Sequence, residues 1–280
     1  MAGGLYPVND RHEEMIRTTG ITDHLRIDYD NREILVSARV RRAGPDYIVF
    51  LHGLGCAKAV YRAAFTAREL RDYSLVAFDF PGHGTSPSLD GIPHSLDVYA
   101  DITNTLIQRL TTGEVFIIGH SMGGAVGLIA ASRRNCREPF ISVEGNLVSE
   151  DCGLASRAMA AQSTGGFISE GFLQCLRSLE NSPRRDFQIW SRWYGQANPA
   201  ALHESASSLV KWSDSGQLID LFNSFTKKVY LYGDQSLPSK NTARHLDNTS
   251  TFSIPNAEHF SMISNPEAFY RTVAASLAST

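Results

Sequence analysis

Short unbroken apolar runs alternate with helical patterns along most of the chain. The runs YIVFL (47–51), SLVAFDF (74–80), VFIIG (115–119), FISV (140–143), KVYLY (228–232) and TFSI (251–254) are β-branched and aromatic. Runs without polar alternation predict strands buried on both faces, as in parallel sheets. LRIDYD and EILVSARV flank Asn31 and predict an N-terminal hairpin. Val60, Ala63, Ala64, Ala67 and Leu70 recur at helical spacing, as do Val98, Ile102 and Leu106. MGGAVGLIAAS reads as a small-residue helix packed closely behind its strand. Asn265-Pro266 caps a last helix carrying Phe269, Val273 and Leu277. Strand–helix alternation of this kind predicts an α/β fold with a mostly parallel sheet covered on both faces.

The alternation breaks once, over 145–225, where short helical patterns follow one another without a strand. All three tryptophans, Trp190, Trp193 and Trp212, lie in this stretch, with Phe167, Phe172, Phe187, Tyr194, Phe222 and Phe225. The reading is a core of 1–144 and 226–280 with an inserted helical cap over the sheet's C-terminal edge. Open α/β sheets bind ligands at that edge.

Composition narrows the class. Hydrophobic residues make up 42% of the 280 residues and charged residues 20%, a globular balance. With 26 basic and 29 acidic residues the net charge is −3, so no electrostatic argument points to nucleic acid or an anionic membrane. The first twenty residues mix charge and turn formers and show no apolar targeting core. The longest strongly apolar runs have five residues or fewer, whereas a membrane-spanning helix needs about 20. Cys56, Cys136, Cys152 and Cys175 have neither C-x-x-C spacing nor a histidine cluster, so they read as reduced thiols of a cytoplasmic protein, with no metal site.

The chemistry concentrates in three places. Gly119-His120-Ser121-Met122-Gly123, with Gly124 behind it, fits G-x-S-x-G between a strand and a helix. A serine on so tight a turn takes strained dihedrals, and flanking glycines remove the clashes. The turn exposes the hydroxyl and aims helix-start amides at developing negative charge. His52-Gly53-Leu54-Gly55 follows the strand YIVFL, which assigns the backbone amides of Leu54 and Met122 to an oxyanion hole. His52 reads as a structural residue. His259, in the loop after the last strand, is placed as general base by the chain order serine, acid, histidine.

These motifs, with Asp79-Phe80-Pro81-Gly82-His83-Gly84-Thr85-Ser86, resemble the α/β-hydrolase superfamily over essentially the whole length. The resemblance implies eight strands, a helical cap and a structural His83. Serine at the elbow separates the chain from haloalkane dehalogenases and epoxide hydrolases, which place Asp there.

The acid departs from the commonest pattern of that superfamily. Its usual G-x-x-D slot after the seventh strand reads Gly233-Asp234-Gln235-Ser236, so Ser236 stands where the acid is expected. Asp234 comes two residues early. Glu144, 23 residues after Ser121 at the end of FISV, resembles the acid after the sixth strand of some dehalogenases and of Ser-Glu-His zearalenone lactonases. Glu144 is the preferred acid and Asp234 the alternative.

The expected function is serine hydrolysis of a carboxyl ester or lactone of a small to medium apolar substrate, without a metal or organic cofactor. Trp190, Trp193 and Trp212 are expected to contact the substrate. A C–C bond hydrolase or thioesterase would use the same residues, and a small-ligand receptor is the non-enzymatic alternative. The sequence leaves the oligomeric state open, a homodimer among the options.

Overall fold

The computed structural model describes residues 21–134, 139–153 and 155–278. The first twenty residues and Cys136 lie outside the described residues. Eight strands form one sheet: β1 (Ile21–Tyr29), β2 (Arg32–Arg41), β3 (Tyr47–Leu51), β4 (Ser74–Phe78), β5 (Val115–His120), β6 (Phe140–Val143), β7 (Lys228–Gly233) and β8 (Ser250–Ile254). Their order is β1-β2-β4-β3-β5-β6-β7-β8. The first two strands are antiparallel to their neighbours and the rest are parallel. The hairpin turns through Asp30 and Asn31, both left-handed at φ 50° and 58°, as a two-residue turn between twisted strands requires. β3 to β6 are buried along their whole length, which explains their unbroken apolar runs.

The main helices are α1 (Leu96–Leu110), α2 (Met122–Arg133), α3 (Phe172–Glu180), α4 (Arg185–Tyr194), α5 (Pro199–Asp214), α6 (Gln217–Ser224) and α7 (Pro266–Ala278). Side chains cap several of them. Ser95 accepts from the Val98 amide, Asn198 from Ala201 ahead of Pro199, and Asn265 from Ala268. The segment with helical spacing after β3 differs from expectation. It forms 3₁₀ turns over Lys58–Thr66 and Arg68–Leu70, with a kink at Tyr61. An i, i+3 apolar pattern suits both helix types. Here the Tyr61 hydroxyl donates to the Leu51 carbonyl and Lys58 Nζ pairs with Asp79 at 2.6 Å, so tertiary bonds select the irregular form.

Between β6 and β7 the described chain is helical. Its aromatic residues pack mostly on each other: Phe172 stacks on Tyr194 at 5.0 Å, and Phe167 lies 5.6 Å from His203. Phe222 of α6 and Phe225 just past its end lie 6.5 and 5.5 Å from Phe140 of β6, so that helix covers the sheet. The remaining helices are tied to the loops at the C-terminal edge at several points, of which three hold the loops after β3, β4 and β8. Trp190 Nε1 donates to the carbonyls of Leu54 and Gly55 at 3.0 and 3.2 Å. Tyr99 donates to the Pro81 carbonyl and shares a hydrogen bond with Ser205 of α5. Arg184 grips buried Asp186 through two nitrogens, and the Asp186 amide donates to Glu258, beside His259.

Three histidines are sealed in this scaffold. His52 Nδ1 donates to the Gly53 carbonyl and Nε2 accepts from the Phe80 amide, so the ring is a neutral tautomer fixing the loop after β3. Burial, the largest cause in each case, lowers His52 to about 4, His83 to about 3, and His120 well below the ordinary imidazole value. Each unfolded ring binds a proton near pH 6.5, which its folded form refuses. Stability is therefore complete above pH 6.5 and declines as pH falls toward these lowered values, by up to about 1.4 kcal/mol per ring per pH unit. Urea midpoints should drop steadily between pH 7 and pH 5. A flat profile there would mean that the three rings are not held neutral.

Candidate active site

The turn between β5 and α2 is sterically strained. Ser121 sits at φ 51°, ψ −123°, a conformation that side-chain-bearing residues rarely adopt. Its neighbours show why glycine surrounds it. A Cβ on Gly119 would stand 2.4 Å from the Gly123 carbonyl oxygen, and one on Gly123 would stand 2.2 Å from that of Leu51. The Gly124 position faces Gly145 Cα at 2.9 Å. The Ser121 amide donates to the Val143 carbonyl and its own carbonyl accepts from Gly124, which locks the turn from both sides. The serine side is left partly exposed, above the sheet's C-terminal edge.

Glu144 and His259 meet at that edge. His259 Nδ1 lies 2.8 Å from Glu144 Oε2, with the two side chains 13% and 9% exposed. Glu144 is itself left-handed at φ 45°, which turns the chain sharply at the end of β6. Its Oε1 accepts from the Gly233 amide at 2.9 Å and its Oε2 from the Ser236 hydroxyl at 2.7 Å. Asp234 does something else. It is exposed, and its oxygens accept from the Asn256 and Ala257 amides at 3.0 and 3.1 Å, shaping the turn that leads to His259. The structure thus brings Glu144 to the imidazole and places Asp234 on the loop's backbone. His120 supports the same loop, donating through Nε2 to the His259 carbonyl at 3.0 Å, with the two rings 4.6 Å apart.

Ser121 and His259 line one narrow cavity of about 30 Å³, together with Leu54, Cys56, Trp190, Leu209 and Phe260. Asn146, Asp151 and Ser156 bring polar groups to the same cavity. Met122 is the first residue of α2, where a backbone N–H has no carbonyl within its helix. Its side chain is fully buried, so only that amide can serve the site.

The tryptophans divide. Trp190 lines the cavity and also holds the Leu54 and Gly55 carbonyls. Trp193 is set back, packing against Phe260 at 6.4 Å without lining the cavity. Trp212 is elsewhere: its Nε1 donates to Asp97 at 3.0 Å, and it lines a separate surface groove with Ser95 and Lys211. The expectation of substrate contact therefore does not carry to Trp212, because α5 turns that face toward α1. Sequence reasoning missed Asn146, Phe260 and the donor role of Ser236. The first stands two residues past Glu144 and the second directly follows His259, which was the available signal. Among the described residues no group of three or more His, Cys, Asp or Glu side chains is placed to hold a metal ion. No helix among them is long and apolar enough to cross a membrane.

Known proteins share both the segments and the architecture. An 81-residue segment is 35% identical to a putative esterase/lipase 2 of Mycoplasma genitalium, covering 29% of this chain and 30% of that protein. A 123-residue segment is 33% identical to 2-succinyl-6-hydroxy-2,4-cyclohexadiene-1-carboxylate synthase of Yersinia pseudotuberculosis, covering 42% of each. The chain thus matches less than half the length of these relatives. Solved structures align almost end to end. One is an N-acyl homoserine lactonase with N-hexanoyl homoserine bound, at TM-score 0.71 and 17% identity over 92% of this chain and 97% of that one. Another is a thermophilic esterase of Thermogutta terrifontis, at 0.68 and 20% over 92% and 98%. At these identities they show the fold alone. The model of the alpha/beta hydrolase family matches residues 48–272, from β3 into the last helix. With the elbow, the sheet order and that match in hand, the chain belongs to the alpha/beta hydrolase family.

Proposed function

We propose that the chain is a serine hydrolase that cleaves a carboxyl ester or lactone through an acyl-enzyme on Ser121. The observation that carries this reading is the 2.8 Å contact of His259 Nδ1 with Glu144 at the wall of the cavity that Ser121 also lines. Glu144 holds the proton on Nδ1, which leaves Nε2 as the base. His259 takes the Ser121 proton as the oxygen attacks the carbonyl carbon. The oxyanion rests on the amides of Leu54 and Met122. The imidazolium then protonates the departing alkoxide. Water, activated by the same nitrogen, releases the acid and restores Ser121. These steps use side chains and water only.

The narrow cavity supports a small acyl part. Its walls combine Leu54, Trp190, Leu209 and Phe260 with Asn146, Asp151 and Ser156. Of the described aromatic residues between β6 and β7 only Trp190 lines this cavity, and most of the others pack on one another or on β6. The esterase-like relative and the lactonase and esterase neighbours agree with ester chemistry. A C–C bond hydrolase with the same residues is the second reading, since one relative is named for a synthase and not for ester cleavage. Chromogenic esters of increasing acyl length, run beside lactones, acyl thioesters and ring-cleavage diketones, separate the two. Preferred turnover of the last would replace ester hydrolysis.

Ser121→Ala should lower ester kcat by about 10⁶-fold with the fold intact, the scale for losing the nucleophile of a triad. On the same assay Glu144→Gln should cost up to about 10⁴-fold. Asp234→Asn should cost about 10-fold or less, since it loses only charge on a turn. The reverse ranking of the two acids would transfer the acid role to Asp234.

Trp190→Phe removes the donor that fixes the two loop carbonyls beside the Leu54 amide. A displaced oxyanion donor costs rate before binding, so kcat should fall roughly 10-fold with little change in KM. Trp212→Phe should leave both constants at the parental values. Loss of activity in Trp212→Phe, or none in Trp190→Phe, would reverse the assignment of the two rings.

A further inference from the structure

Ser236 fills the slot in which the commonest sequence pattern carries the acid, and the proposed reaction gives it no step. The structure places its hydroxyl on the acid that is used. Ser236 Oγ donates to Glu144 Oε2 at 2.7 Å, and that same oxygen faces His259 Nδ1 at 2.8 Å. The other oxygen accepts from the Gly233 amide at 2.9 Å. Glu144 starts from β6, crosses to the end of β7 and meets a ring carried by the loop after β8. A glutamate making that span has three side-chain torsions to fix, so it loses much rotamer freedom unless its carboxylate is held.

The turn bearing Ser236 is rigid. Ser236 N donates to the Gly233 carbonyl at 2.9 Å, Gln235 N to that of Ala257 at 2.9 Å, and Asp234 N to that of Ile254 at 3.0 Å. Gly233 is forced there, since a Cβ would meet the Ala257 carbonyl oxygen at 2.3 Å. A backbone held in this way delivers a hydroxyl to one point in space. The same loop contact joins the Ser236 turn to the segment leading into His259, so acid and base are set from one frame.

We propose that Ser236 is a positioning residue of the reaction: it acts through Glu144, holding the carboxylate plane so that one oxygen faces the imidazole. The proposal rests on the reading of Ser121, His259 and Glu144 as the reacting set. Without the hydroxyl, Gly233 N fixes only the far oxygen, and the carboxylate can rotate about its last torsion. A small misplacement of an orienting group lowers the chemical rate and leaves ground-state binding almost untouched.

A double-mutant cycle on ester turnover tests this, with melting temperatures measured in parallel. Ser236→Ala should reduce kcat about 10-fold at nearly constant KM, while Ser236→Thr, which keeps the hydroxyl, should stay within about threefold of the parent. In a Glu144→Gln background Ser236→Ala should cost less than about twofold, because the group it acts through no longer carries the charge. A general loss of fold would instead lower both backgrounds equally and melt the variant early, and that outcome overturns the proposal. So does full kcat in Ser236→Ala beside a nearly inactive Glu144→Gln, which would leave the triad standing. Full kcat in Glu144→Gln removes the triad reading itself, and the role of Ser236 with it.

Discussion

The close backbone packing around Ser121 is the constraint on which the rest of the structure depends. Two elements approach so nearly that no Cβ fits at Gly119 or Gly123, where carbonyl oxygens stand 2.4 and 2.2 Å from the vacant positions. That approach forces the strained turn, exposes one hydroxyl and sets the start of α2 directly beneath it. The register of the parallel strands does the rest. Leu51 pairs with Gly119 and His120 with Val143, so β3, β5 and β6 end together. Leu54, Ser121 and Glu144 thereby reach one edge from three separate strands. The strain costs on the order of 1–3 kcal/mol and is offset by the buried strands on either side.

Around this turn some buried polar groups are paired, while His120 Nδ1, Ser142 Oγ and Asn146 Oδ1 have no hydrogen-bond partner among the described residues. Asp79, 1% exposed, is held by Lys58 and by the Thr85 amide, and its carboxyl stays below the ordinary carboxylate range. Burial alone would raise it, and the Lys58 ammonium with its hydrogen bonds and that of the Thr85 amide outweighs that effect. His52 bonds the loops after β3 and β4, and His120 the loop after β8. The loops around Ser121 and His259 are therefore fastened by neutral rings on one side and by Trp190 and Arg184, from the helical stretch between β6 and β7, on the other. A site of this kind depends on rigid support more than on the number of groups that touch the substrate.

Much of this was legible in the sequence where physics leaves one solution. Strands buried on both faces must be apolar throughout, so YIVFL and VFII showed their place, and a serine between such a strand and a small-residue helix needs its glycines. Glu144 was legible from its distance past Ser121, and the geometry sets it against His259 while Asp234 caps the turn at Asn256 and Ala257. What the sequence could not carry was orientation. Trp190 and Trp212 stand in similar helical patterns, yet one faces the loop after β3 and the other Asp97, because helix rotation is decided by packing. The 3₁₀ turns after β3 escaped for a related reason, since bonds from Lys58 and Tyr61 to distant residues override local spacing. The donor role of Ser236 needs a turn whose register follows from Gly233 packed against Ala257, a contact far along the chain.

The proposed nucleophile is the strained, partly exposed Ser121 hydroxyl, activated by His259. A small alkyl fluorophosphonate, read by intact mass and peptide mapping, tests it most directly. A single adduct is expected, on Ser121, and it should be lost when the protein is unfolded beforehand. No adduct on the folded chain, or an adduct on a different residue, would contradict it.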